Sequence, residues 1–521
     1  MTKSSRNPWF RGGDVNAFFA LMFDNVANLV ILVAILIGAF QFPKDLVLRR
    51  IVPGTAVGVL VGDLIYAWMA RRLARKTGRS DVTAMPLGLN APSVFGISFA
   101  VLGPAYIATG DPVLAWKIGM AVAVLVGLIK MGLSLAGNAV RTTLPRAALL
   151  GSIAGAGVAL IAFLPLMKLV ASPIVGFVAL GIILLTFVAG VRLPWGLPGA
   201  FVSALVAVGI HYALTALGIG PATTAAAAPG IASLDLAIPW PSFAFLDGLP
   251  LALTYLPVAL PFAVMTVIGG IDNTESAAAA GDEYDTRSIV ATEGFCTLVA
   301  GLCGGVIEST PYIGHPAFKK MGAGAGYAVA TALFVGLGGM LGYLPLLVDW
   351  IPPAAVAPIL IYIGLEVLGQ GMLATPPRHA FAVALAVLPS IAFLVSLEMG
   401  SLVTAAGGAL ANLTGEVAET FRAARLLGNG FIVTALVWGA GAAELIDRRF
   451  RRSALYFFAG ALLCLFGVIH SPTAQGTFFL PWTVADSTPF IYAAAYAGLG
   501  LLVLAASLLG AIPSPRPRGE G

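Results

Sequence analysis

Apolar residues in this chain run in long blocks separated by short polar or basic stretches. Sixteen blocks can be counted, two of them of half length: residues 15–40, 51–70, 82–107, 113–137, 143–165, 172–190, 195–217, 249–279, 288–306, 308–319, 325–346, 352–374, 379–398, 428–446, 455–470 and 489–511. About 20 apolar residues cross the hydrocarbon core of a bilayer as a helix. The pattern therefore predicts an all-α polytopic membrane protein.

Polar positions recur inside that pattern. Phe23-Asp24-Asn25-Val26-Ala27-Asn28 is echoed by Ile271-Asp272-Asn273-Thr274-Glu275-Ser276. Each echo is followed by a second matched element, Met85-Pro86-Leu87-Gly88-Leu89-Asn90-Ala91-Pro92 after the first and Thr310-Pro311-Tyr312-Ile313-Gly314-His315-Pro316 after the second. A carboxylate followed by a broken apolar segment thus occurs twice, the mark of a secondary transporter built from two structural repeats with its site where the broken helices meet. Residues 15–217 form the expected first repeat and 249–446 the second, joined by a Thr/Ala/Pro-rich extracytoplasmic linker at 218–248. Residues 1–14 read as a cytoplasmic N-terminus, 447–511 as extra C-terminal transmembrane segments, and 512–521 as a cytoplasmic tail. Seven blocks per repeat is an odd number, so the second copy enters from the opposite side and the repeats are inverted.

Pro86, Gly88 and Pro92 in the third block, and Pro311, Gly314 and Pro316 in the tenth, interrupt helical hydrogen bonding, because proline lacks an amide proton and glycine relaxes the backbone. Both blocks should be part extended and part helix. Irregular backbone at membrane depth survives only where it is buried in protein or lines a cavity. The freed amides at the two half-helix starts carry partial positive charge, a donor cradle for a polar ligand.

Composition supports the membrane reading: 59% of the 521 residues are hydrophobic and 10% charged. Soluble globular proteins carry roughly 25% charged residues. The net charge of +5 comes largely from basic loops, Arg71 to Arg79, Arg141 and Arg146, Lys319 and Lys320, and Arg448 to Arg452. Excess Lys and Arg marks cytoplasmic loops, which puts both termini in the cytoplasm. Dispersed among spans, these charges give no nucleic-acid surface. The first apolar block is too long and too polar for a cleaved signal peptide. Cys296, Cys303 and Cys464 read as small packing residues, and no metal, phosphate-loop or enzymatic constellation is visible.

Asp24, Asp63, Asp272 and Glu275 lie within blocks, where an unpaired Asp costs about 2.5–3.5 kcal/mol. They should face a cavity, a partner or the membrane edge. Asp272 and Glu275 are three apart and share a helix face, and repulsion with desolvation can leave one protonated near neutral pH. Both are candidates for substrate binding and proton coupling, with Asp24 and Asn25 as helpers and Glu308 either in the site or at its extracytoplasmic mouth. His315, beside the second break, is a candidate ligand or proton partner, whereas His211, His379 and His470 read as packed or interfacial. The run Gly281-Asp282-Glu283-Tyr284-Asp285-Thr286-Arg287 reads as a solvated cytoplasmic turn.

Leu87-Gly88-Leu89-Asn90-Ala91 resembles the third-helix "GLNA" element of AzgA-type purine permeases, in the nucleobase-cation symporter group that also holds the uracil, xanthine and ascorbate carriers. Pro311-Tyr312-Ile313-Gly314 is similar to their tenth-helix "TTYxE" element, and Pro353-Ala354-Ala355-Val356-Ala357-Pro358 to the start of their twelfth helix. The resemblance covers roughly residues 15–446 and implies a fold of 7+7 inverted repeats. Its core domain comprises helices one to four and eight to eleven, and its gate domain five to seven and twelve to fourteen, often dimerised through the gate. It implies that Asp272 is the eighth-helix carboxylate that contacts the base and aids proton coupling, and that Tyr312 is the tenth-helix aromatic. The family's second carboxylate falls at Gly314, where this chain has none, with His315 beside it.

The expected function is secondary active transport in the inner (cytoplasmic) membrane, proton-coupled uptake of a nucleobase by elevator-like alternating access, without cofactor or metal. The expected site draws on Phe23, Asp24, Asn25, Asn90, Asp272, Glu275, Tyr312, Gly314 and His315, with Phe95 as a further aromatic wall. The expected partners are a small-molecule substrate, a proton or other cation, the lipid bilayer and a second copy of the chain. An anion carrier of the sulfate-transporter type stays open, because those related carriers share the fold and generally lack the tenth-helix carboxylate.

Overall fold

The computed structural model describes residues 8–194, 197–219, 236–344, 352–405, 413–473 and 476–508. In chain order the elements are α1 (Gly12–Val33), α2 (Val52–Thr77), β1 (Leu87–Leu89), α3 (Ala91–Ile97, helical onward to Thr109), α4 (Pro112–Thr143), α5 (Arg146–Val170), α6 (Pro173–Val188) and α7 (Gly199–Ala216). After the linker come α8 (Phe245–Ala279), α9 (Thr286–Leu302), β2 (Ser309–Pro311), α10 (His315–Lys320), α11 (Gly326–Leu341), α12 (Pro353–Leu373) and α13 (Ala380–Ala405). The chain then forms α14 (Gly415–Gly428), α15 (Phe431–Ile446), α16 (Phe450–Leu465) and α17 (Thr488–Leu508).

All sixteen apolar blocks coincide with a helix or with a broken strand-and-helix segment. Among the described residues, eight helices are long and apolar enough to cross a membrane, and α14 with α15 would add a ninth span but for a 74° bend between them. The polar helix α14 was not expected. Its sequence, with Glu416, Glu419, Arg422 and Arg425, forms a helix readily but carries no apolar block. Most of the linker at 218–248 and all of the tail at 512–521 lie outside the described residues, as do the Pro92 and Phe95 side chains.

Local chemistry sets the helix ends. Asp111 Oδ1 accepts the Val113 and Leu114 amides ahead of α4 (2.8 and 3.2 Å), and Asp285 Oδ2 accepts the Ser288 amide at the start of α9 (3.0 Å). Both side chains satisfy amides that have no partner within their helix. Gly78 closes α2 in the left-handed conformation, φ +67°, where a side chain would be strained.

The chain divides into two compact units. One holds Met1–Thr143 and Ile153–Ala374, the other Leu144–Ser152 and Thr375–Gly521. In the first unit α4 packs along α8 and α9, and α2 packs along α9 and α11. Both broken segments and every expected site residue belong to this unit. In the second, α17 packs on α16 and α16 on α15, with His470 bonded to Leu426 and Tyr496 and His379 to Asp447, the packing roles expected of these histidines.

Candidate functional site

The two broken segments meet as an antiparallel ladder, with Leu87 opposite Pro311, Gly88 opposite Thr310 and Leu89 opposite Ser309. All six residues are buried. The Tyr312 amide extends the pairing by donating to the Pro86 carbonyl at 2.9 Å. Backbone that leaves the helix at this depth thus finds its hydrogen bonds in the matching segment of the other repeat.

Asparagines of the echoing segments pin this ladder. Asn25 Nδ2 donates to the Leu87 carbonyl at 3.4 Å, and its Oδ1 accepts the Leu89 amide at 3.0 Å. Asn28 Nδ2 donates to the Leu89 carbonyl (3.2 Å) and to Asp24 Oδ2 (3.1 Å). On the other strand, Asn273 Nδ2 donates to the Pro311 carbonyl at 3.1 Å. Gly88 leaves room for this arrangement, since a Cβ there would meet Asn25 Oδ1 at 3.0 Å.

Around the ladder stand the other expected residues. Asn90 is the cap of α3, its Oδ1 accepting the Ser93 amide at 3.3 Å. Gly314 precedes α10, and a Cβ there would meet the Tyr312 ring at 2.9 Å and Phe318 at 3.1 Å. The close stack of Tyr312 on Phe318 (6.2 Å between centroids, 18°) therefore occupies the space that a carboxylate at position 314 would need. Tyr312 Oη is buried and makes no hydrogen bond among the described residues, and Asp24 lies within its electrostatic reach. Asp272, one residue before the pinning Asn273, is buried, as is Phe23.

Two expected residues are engaged elsewhere. Glu275 Oε2 is paired with Arg141 Nε at 2.7 Å, and Arg141 also holds Glu283 at 2.8 Å. His315 Nε2 faces Asp282 Oδ2 and the Thr83 carbonyl, each at 3.3 Å. Asp282 is fully buried, accepting the Thr83 amide (3.0 Å) and pairing with Lys319 (2.7 Å) and Arg79 (3.1 Å). The expectation of a solvated turn at Gly281 to Arg287 is corrected at Asp282 and Tyr284: Asp282 is buried, because cations from the loop after α2 and from α10 converge on it, and Tyr284 is buried with its hydroxyl donating to the Thr83 carbonyl at 2.5 Å, while Gly281, Glu283, Asp285 and Arg287 are exposed as expected. Burial alone would raise the Asp282 carboxyl pKa, but the hydrogen bond and charge of His315, then Lys319 and the Thr83 amide, hold it below the usual carboxylate range. Asp81 is also held low, chiefly by its hydrogen bond from Arg79.

Three ionisable groups escaped notice as a set. Fully buried Lys130 of α4 lies 2.8 Å from Glu293 of α9 and 2.5 Å from Glu308, which precedes β2. Their one sequence signal is that each is an isolated charge within or beside an apolar block, which is costly at membrane depth unless partnered. Asp63, in turn, accepts the Leu87 amide at 3.0 Å.

No protein-family model matches the chain, and no curated protein does. Among solved structures it is similar to the transmembrane domain of a cyanobacterium bicarbonate transporter, BicA, at 16% identity and a TM-score of 0.42, covering 73% of this chain and 94% of that one. It is also similar to SLC26A9, at 12% identity and a TM-score of 0.39, covering 68% of this chain and 64% of that one.

Proposed function

We propose that the chain is a secondary active transporter that carries a small anion across a membrane by alternating access, binding where β1 and β2 cross in front of α1 and α8. The observation that carries this reading is the buried ladder formed by the two interrupted segments, with a Tyr312 hydroxyl beside it that is unbonded among the described residues. Buried hydroxyls are usually hydrogen-bonded, and under this reading a polar group of the substrate is the partner of Tyr312. The half-helix starts at Ala91 and His315 add positively polarised amides on either side of the ladder.

The choice of an anion over a nucleobase follows from the acceptors. Ring N–H groups of a base are held most strongly by carboxylate acceptors, yet Glu275 is paired with Arg141 and position 314 has no side chain to offer. Asp272 of α8 and Asp24 of α1 stand beside the ladder, and they keep a nucleobase as the second reading, with Tyr312 as the stacking surface. Uptake of labelled sulfate, bicarbonate, uracil and purines into proteoliposomes, with and without a pH gradient, separates the two. Anion uptake without base uptake is expected; saturable base uptake alone would overturn the preference.

A further inference from the structure

The basic end of α2 carries a surface that the ladder does not use. Leu64, Trp68, Arg72 and Lys76 follow one another at four-residue spacing and so share one helix face. That face is bare: Leu64 is 39% and Trp68 56% exposed, and Arg72 and Lys76 are exposed as well. Along the axis the stripe passes from an aliphatic side chain to an indole ring and then to cations, each step about 6 Å. Hydrocarbon, interface and headgroup follow in the same order across one leaflet of a bilayer.

The cations of this surface are in excess. Exposed Arg75 joins the stripe, and among the described residues no ion pair includes Arg72, Arg75 or Lys76. The next acidic side chain in the chain, Asp81, is taken by Arg79 at 2.7 Å and Lys319 at 3.5 Å. Two indole rings flank the cations: Arg72 Cζ lies 5.5 Å from the centre of the Trp68 ring, and Arg71 Cζ 3.7 Å from that of Trp9, which is 54% exposed. Trp9 belongs to the segment ahead of α1, which Arg11 ties to the loop after α2 through the Ser80 carbonyl. Basic loops and interfacial tryptophans are each common in membrane proteins. Here arginines lie over rings contributed by two segments distant in the chain, beside three cations with no carboxylate to hold them.

We propose that the end of α2 binds an anionic phospholipid, its phosphate held by Arg72, Arg75 and Lys76 and its acyl chain laid along Trp68 and Leu64. Guanidinium groups match phosphate oxygens two at a time, and clustered cations just beyond a membrane helix attract anionic lipid. A zwitterionic headgroup brings its own cation to the same surface and gains less. Free phosphate shares the charge but has no chain to cover the ring and the leucine. The binding is independent of which solute the protein carries.

The test uses the full chain purified in detergent, with phosphatidylglycerol, phosphatidylcholine and inorganic phosphate titrated separately. Native mass spectrometry counts bound lipid, and melting temperature reports stabilisation by a ligand of the folded state. Phosphatidylglycerol should be retained in preference to phosphatidylcholine and should raise the melting temperature more than inorganic phosphate does. Each surface cation is worth roughly 5-fold in affinity, so Arg72→Gln/Arg75→Gln/Lys76→Gln should weaken phosphatidylglycerol binding roughly 100-fold. Arg451→Gln/Arg452→Gln, which removes exposed cations elsewhere, should bind as the wild type does. A loss as large in that control would reduce the effect to general surface charge and overturn the proposal. Equal retention of phosphatidylcholine, or equal stabilisation by inorganic phosphate, would overturn the assignment to an anionic lipid. Should the triple variant fail to insert, Trp68→Ala keeps every charge and should weaken binding roughly 2- to 5-fold; an unchanged affinity would overturn the stripe.

Discussion

Asn25 and Asn273 perform the same task on opposite strands of one ladder. Asn25 donates to the Leu87 carbonyl and Asn273 to the Pro311 carbonyl, and Leu87 and Pro311 are paired with each other. The polar echo in the sequence is thus a structural symmetry: each repeat supplies an amide that holds its own broken segment against that of the other. Neither carbonyl is open to water at this depth, so an alternative partner would have to come from protein.

Removal of these amides should be felt in stability first. Asn25 contacts both ends of β1, through the Leu87 carbonyl and the Leu89 amide, whereas Asn273 contacts β2 at the Pro311 carbonyl and otherwise donates to the Gly269 carbonyl of its own helix. Leaving a buried polar group unsatisfied costs about 1–3 kcal/mol. Asn25→Leu should therefore lower the melting temperature of the purified protein more than Asn273→Leu does. Equal melting temperatures for wild type and Asn25→Leu would mean that the ladder does not depend on the asparagine.

Substitution of Asp272 separates the two substrate readings. An amide in its place removes like-charge repulsion from a bound anion but also removes the acceptor that a ring N–H of a base would need. Under the anion reading, Asp272→Asn should retain or strengthen anion binding. Under the nucleobase reading, losing a charged hydrogen bond worth about 1.5–3 kcal/mol should weaken base binding by roughly 10- to 100-fold. Equilibrium binding of labelled sulfate and uracil to wild type and Asp272→Asn gives the answer.

The parts legible in the sequence were those that break a pattern. Pro86, Gly88, Pro311 and Gly314 interrupt apolar blocks, and the structure turns both interruptions into strand followed by helix. The illegible parts depend on partners distant in the chain. Lys130 and Glu293 are 163 residues apart, and nothing local distinguishes a buried bridge from a lone charge. Asp282 was misread for the converse reason: its neighbours in sequence are polar, but its burial is decided by Arg79, His315 and Lys319. Glu275 was expected beside Asp272 because the two share a helix face, and its pairing with Arg141 of α4, 134 residues away, had no local signal in the sequence.

Acid should loosen the Asp282 latch. A carboxyl whose folded pKa is depressed contributes stability above its unfolded value of about 4 and loses it as pH falls through the folded value. Asp282 is such a group, since His315, Lys319 and the Thr83 amide outweigh its burial. Wild-type melting temperature should fall on acidification below about pH 4, and Asp282→Asn should show a shallower fall from a lower starting point at neutral pH. An acid limb just as steep in Asp282→Asn would assign the acid sensitivity to other carboxylates.

The bridge from Lys130 to Glu293 depends on how closely α4 and α9 approach, and two glycines set that distance. A Cβ on Gly127 would meet the Leu298 amide nitrogen at 2.6 Å and the Gly294 carbonyl at 2.8 Å, while a Cβ on Gly294 would meet the Gly127 carbonyl at 2.7 Å. Small residues that let helix backbones touch are a common packing device in membranes. Gly132, on the same helix, has nothing within 4 Å of its Cβ position and serves as the control. Gly127→Ala should destabilise by about 1–3 kcal/mol through overpacking, whereas Gly132→Ala should be neutral or stabilise by up to about 1 kcal/mol through helix propensity. Opposite shifts in melting temperature are therefore expected from the same substitution made five positions apart. If Gly127→Ala melts no lower than Gly132→Ala, the two helices are not in backbone contact, and the short Lys130–Glu293 distance cannot be attributed to their crossing.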